Sequence, residues 1–131
     1  MNSDLPFFAD ASIVGDYRPL KKYWEILRKK GSSLDQAFLN RRDFDHLSEV
    51  VMFNPGIDLE SLLNMFTSWF IERIDCEAAV EAYREVYGIE LDKEEARKGI
   101  ARILAGWLIE AGRSVGILKY RYPWSRAWRG T

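Results

Sequence analysis

Apolar residues return at helical spacing along most of the chain, and the breaks between periodic stretches fall at capping residues. Leu20, Tyr23, Trp24 and Leu27 share one face of a 3.6-residue repeat. Asp16 and Pro19 open this helix, since proline is tolerated in a first turn, where backbone N–H groups have no intrahelical acceptor. Arg28, Lys29 and Lys30 close it with cations suited to the C-terminal dipole, and Gly31 suits a left-handed cap. Ser32 or Ser33 then caps a short second helix with Leu34, Ala37 and Phe38. Phe44, Leu47, Val50 and Val51 predict a third over about residues 43–53, ended by the turn Asn54-Pro55-Gly56.

The second half repeats one device. Asp58, Asp75 and Asp92 each stand as an N-cap before a periodic stretch. Leu59, Leu62, Leu63, Phe66, Trp69, Phe70 and Ile74 make a stripe broad enough to place that helix at the centre. In the next, Ala79, Val80, Tyr83 and Tyr87 face inward, Glu77, Glu81 and Glu85 face outward, and Gly88 ends it. Asp92 to Glu95 has capping-box spacing, with Leu91 and Ala96 placed to staple across it. The last long helix buries Ala96, Ile100, Ile103, Leu104, Trp107, Leu108 and Ala111 and stops at Gly112.

After Gly116 the period changes to two. Leu118, Tyr120 and Tyr122 fall on one face, Lys119 and Arg121 on the other, and Pro123 ends the run. The expected fold is all-α: a single compact domain over residues 1–131 with five or six helices. An N-terminal arm covers 1–16, and an extended aromatic-basic tail covers 117–131.

Composition narrows the class. A chain of 131 residues can bury a core without disulfides or metal, and 47% hydrophobic residues exclude a disordered chain. The single cysteine, Cys76, excludes a disulfide framework and a multi-cysteine zinc site, and suits a reducing compartment. The acidic opening with Pro6 does not resemble a secretory signal, and no apolar stretch is long enough to span a bilayer. A cytoplasmic protein with no membrane association is expected.

A net charge of −1 conceals sorted blocks. Residues 17–42 carry eight bases against two acids, residues 43–95 fourteen acids against three bases, and residues 96–131 eight bases against one acid. Such sorting bears on partners rather than on fold. The candidate contacts are Lys21, Lys22, Lys29, Lys30, Arg41 and Arg42 near the first helix, and Lys119, Tyr120, Arg121, Tyr122, Trp124, Arg126, Trp128 and Arg129 in the tail. Cations neutralise phosphates and aromatic faces stack on exposed bases, so the mixture suits RNA or single-stranded DNA.

The expected function is therefore a small, non-catalytic helical subunit that binds nucleic acid through basic segments within a larger complex. The alternative is an accessory subunit of an enzyme complex, with the aromatic tail as an anchor into a protein partner or a second copy. In a third reading the aromatics dock on the chain's own helices and the cations reach to water. In size, helical content and split charge the chain is similar in kind to the small helical subunits of multi-protein nucleic-acid machines.

Other chemistry is sparse. Asp43, His46 and Glu49 lie along one helix face, but a lone histidine makes a weak ligand set. Glu77, Glu81 and Glu85 lack the Glu-x-x-His pairs of helical metal sites. Cys76, in a first helical turn, has no recognisable base beside it. No catalytic residue, metal, cofactor or small-molecule substrate is expected.

Overall fold

The computed structural model describes residues 15–32 and 38–114. Over these residues the chain is all-helical, with α1 (Arg18–Lys29), α2 (Arg41–Phe53), α3 (Leu59–Ile71), α4 (Cys76–Tyr87) and α5 (Lys93–Ser114). The short helix expected around Leu34 and Ala37, the arm over residues 1–14 and the tail over residues 117–131 lie outside the described residues.

Side-chain acceptors start the helices where the sequence places them. Asp58 Oδ1 accepts from the Ser61 N–H at 2.7 Å, Asp75 Oδ1 from Ala78 at 3.0 Å, and Asp92 Oδ2 from Glu94 at 3.1 Å. α2 starts two residues before the expected boundary, because Asn40 and Asp43 form a reciprocal capping box. Asn40 Oδ1 accepts from the Asp43 N–H at 3.2 Å, and Asp43 Oδ2 accepts from the Asn40 N–H at 2.9 Å. Gly88 ends α4 in left-handed backbone, φ 70°. Gly112, expected to stop α5, is buried inside it. A glycine at that point costs the helix about 1 kcal/mol, too little to break an element packed on its neighbours.

Three sets of contacts fix the topology. Lys22 meets Glu85 at 3.6 Å and Lys30 meets Asp75 at 3.7 Å, so α1 lies antiparallel to α4. α2 and α3 form an antiparallel hairpin, with Asp43 on Arg73 and the His46 ring stacked on Trp69. Lys93 reaches Glu77 at 3.7 Å, and Gly99 lies against Tyr83. Residues 88–92 therefore run back along α4, and α5 then proceeds in the same sense as α4.

α5, rather than α3, takes the central place, with α1, α2, α3 and α4 all packed on it. The physical reason is side-chain size. Its buried set includes Ala96, Ala101, Ala105, Gly106, Ala111 and Gly112, which let four helices approach one. α3 keeps an outer face, with Ser61, Asn64, Met65 and Ser68 exposed. Leu62, Phe66, Ile100 and Leu104 are buried as expected. Trp69, Tyr83 and Trp107 are half-buried, and Tyr87, expected inward, is exposed.

Gly99 makes room for a neighbour. A Cβ there would overlap the Tyr83 hydroxyl and lie 2.9 Å from its Cζ. Gly99→Ala gains about 1 kcal/mol of helix propensity but forces the Tyr83 ring aside. Overpacking of that kind costs about 1–3 kcal/mol, so a net loss in thermal stability is expected. The loss should shrink in a Tyr83→Ala background, and equal losses in both backgrounds would place the strain elsewhere.

Candidate interaction surface

The fold brings the oppositely charged blocks together. Lys22 Nζ lies 3.0 Å from Glu25 and 3.6 Å from Glu85, and these carboxylates, Glu25 first, hold its pKa above the usual lysine value. Lys30 reaches across to Asp75. Two of the basic residues expected along α1, Lys22 and Lys30, are therefore matched by Glu85 of α4 and by its N-cap Asp75. Lys21, Arg28 and Lys29 are exposed on α1. At the start of α2, Arg41 lies 4.0 Å from Asp45, and Arg42 is exposed.

The last turn of α1 and the first turn of α2 flank the α3–α4 turn. Asp75 of that turn holds Lys30, and Arg73 of the same turn holds Asp43. Arg28, Lys29, Arg41 and Arg42 thus lie around one end of the bundle. Lys119, Tyr120, Arg121, Tyr122, Trp124, Arg126, Trp128 and Arg129 fall outside the described residues.

Asp43, His46 and Glu49 do not converge. Asp43 turns fully inward, where Oδ1 accepts from Arg73 Nη2 at 2.7 Å and from Trp69 Nε1 at 2.9 Å. The Arg73 guanidinium also lies over the Phe70 ring, 4.6 Å from its centroid. His46 is held between rings, stacked on Trp69 at 4.0 Å and edge-on to Phe66 at 5.3 Å. Its Nδ1 stands 3.9 Å from Glu49. Among the described residues no group of three His, Cys, Asp or Glu side chains could hold a metal ion. Cys76 is half-buried beside the α4 cap, where the Asp75 N–H donates to the Tyr23 hydroxyl at 2.9 Å.

Two of the hollows on the described surface lie against α4. One, of about 210 Å³, lies between α1, α4 and α5 and is lined by Asp16, Tyr83, Gly99 and Arg102. Arg18 grips Asp16 with Nε at 3.1 Å and Nη2 at 2.8 Å, and the Tyr87 hydroxyl donates to the same carboxylate at 2.5 Å. These bonds, Arg18's first, pull the Asp16 pKa down to about 2, while burial pushes the Tyr83 phenol up to about 12. The other, of about 500 Å³, lies between α4 and residues 91–93 over Val80 and Leu91. Its acids meet bases of the same groove: Glu81 pairs with Arg84 at 2.6 Å and Glu77 with Lys93 at 3.7 Å.

The surface feature that sequence reasoning missed is apolar. Phe53 is 77% exposed and Met52 58% exposed, at the tip where α2 turns toward α3. The signal was present: Val50 to Phe53 are four consecutive apolar residues, more than one helix face can bury. Val50 and Val51 take the core positions, and the other two point out. The chain matches no family model, no curated protein and no solved structure. Among the described residues, no helix is long and apolar enough to cross a membrane.

Proposed function

We propose that the chain is a non-catalytic accessory subunit that engages a protein partner through the tip of the α2–α3 hairpin. The observation that carries this reading is the pair Met52 and Phe53, adjacent and mostly in water. Covering each would contribute about 1.5–3 kcal/mol, and aromatic side chains are favoured anchors of interfaces. A reducing, cytoplasmic setting accords with the single cysteine.

A second reading is nucleic-acid binding, RNA or single-stranded DNA, within a larger complex. It is favoured by the gathering of Arg28, Lys29, Arg41 and Arg42 around one end of the bundle, together with the basic-aromatic composition of residues 117–131. Salt separates the two, because phosphate contacts weaken steeply with ionic strength and apolar contacts do not.

The tagged chain should be purified at low and at high salt and scored for bound protein and for nucleic-acid absorbance. Under the first reading a protein stays bound at high salt and is lost from Phe53→Ser, while the joint Ala replacement of Arg28, Lys29, Arg41 and Arg42 keeps it. Nucleic acid held at low salt and lost from the four-base variant would establish the second reading instead. A Phe53→Ser variant that folds and keeps every association sinks the first.

A further inference from the structure

Glu110 is a fully buried acid whose carboxylate is only half satisfied: one oxygen meets Arg113 and the other meets no donor. It lies on α5, the helix on which all the others pack. Its Oε1 accepts a single long bond, from Arg113 Nη2 at 3.3 Å, and its Oε2 is buried with no hydrogen-bond partner. Asp43 shows the contrast, since its carboxylate accepts from Asn40, Trp69 and Arg73.

The neighbouring helices supply little relief. On α1 and α4, Lys22 is matched with Glu85 and Lys30 with Asp75. On α2, Asp43 holds Arg73, and on α3, Glu60 meets Arg102 at 3.3 Å. Arg113 is the charged group that bears on Glu110. Burial dominates over that attraction and pushes the carboxyl up from 4.5 to about 7. The folded chain therefore keeps a proton that the unfolded chain releases, and Glu110 lowers stability as pH rises from about 4.5 to about 7.

We propose that Glu110 is a proton-controlled latch on the C-terminal turns of α5: neutral, it keeps residues 107–114 seated on the core, and ionised, it drives them out. On deprotonation the carboxyl O–H bond breaks, the proton passes to water, and the remaining charge is hydrated only when the helix end lifts. Lifting this end uncovers Leu108 and Ile109, both fully buried, and that cost holds the latch shut while Glu110 is neutral. The stretch that lifts includes Trp107, whose ring meets Trp24 at 4.9 Å, so release also uncovers aromatic surface on α1. This inference does not depend on the partner proposed for the α2–α3 tip.

The test uses the full chain, with carboxyl-labelled glutamate followed by NMR and amide hydrogen exchange measured from about pH 5 to about pH 9. One carboxyl resonance should titrate near neutrality and be missing in Glu110→Gln. Amides of residues 107–114, corrected for the intrinsic rate, should exchange at least about ten-fold faster above that midpoint, while residues 96–104 stay protected. The step should vanish in Glu110→Gln. A Glu110 carboxyl that titrates in the ordinary acid range overturns the latch, and so does a step that persists in the variant. Should Glu110→Gln fail to fold, coincidence of the two wild-type midpoints supports the latch and their separation overturns it.

Discussion

Asp43→Ala is expected to cost about 3–5 kcal/mol, the range for removing one partner of a buried ion pair. Three groups lose their acceptor together. Arg73, whose side chain is 10% exposed, is left with a guanidinium that cannot be fully hydrated in place. Trp69 keeps an indole N–H without its 2.9 Å acceptor, and the Asn40 N–H loses its half of the capping box. Asp43→Asn should cost less, because an amide oxygen still accepts from Trp69 and Arg73. Urea unfolding of both variants gives the comparison. Two equal losses would show that charge carries the effect rather than the acceptor geometry. A loss below about 1 kcal/mol for Asp43→Ala would mean that Arg73 swings out to water, as surface pairs allow.

That knot shows where sequence reasoning stops. Asp43 was legible as a first-turn acid, and the spacing from Asn40 to Asp43 carries the capping box. Its other partners lie 26 and 30 residues away, so no local pattern points to them. The caps at Asp58, Asp75 and Asp92 were legible because each acts within three residues. The central helix was not. Stripe width made α3 look central, yet centrality depends on how closely helices can approach, and the small residues of α5 decide that. Glu110 was missed for the same reason. It lies at the edge of the apolar stripe of α5, seven residues after Ile103 and three after Trp107, and a helix with neighbours on all sides buries the edge of its stripe as well. The pairing of the charge blocks was not legible either: the antiparallel packing of α1 on α4 sets Lys22 and Lys30 against Glu85 and Asp75, which lie 63 and 45 residues further along the chain.

The place of α5 is open to direct test through Leu104. Its side chain is fully buried. Leu104→Ala should cost about 2–5 kcal/mol, the lost transfer energy plus the cavity left behind. The upper part of that range is expected, because the residues beside it on α5 cannot expand into the space. Ala101 and Ala105 have no rotamers to change, and Ile100 and Leu108 are themselves fully enclosed. Met65→Ala on the outer face of α3, where the side chain is 39% exposed, supplies the control and should fall within about 0.5–1 kcal/mol. Equilibrium urea unfolding measures both. The midpoint should move for Leu104→Ala with little change in slope, since the surface exposed on unfolding is nearly unchanged. A cost for Leu104→Ala no larger than that for Met65→Ala would remove α5 from the centre of the bundle. The bundle would then have to be held by the packing of α1 on α4 and by the Asp43–Arg73 contact of α2 with the end of α3, since its exposed ion pairs contribute only about 0–1 kcal/mol each.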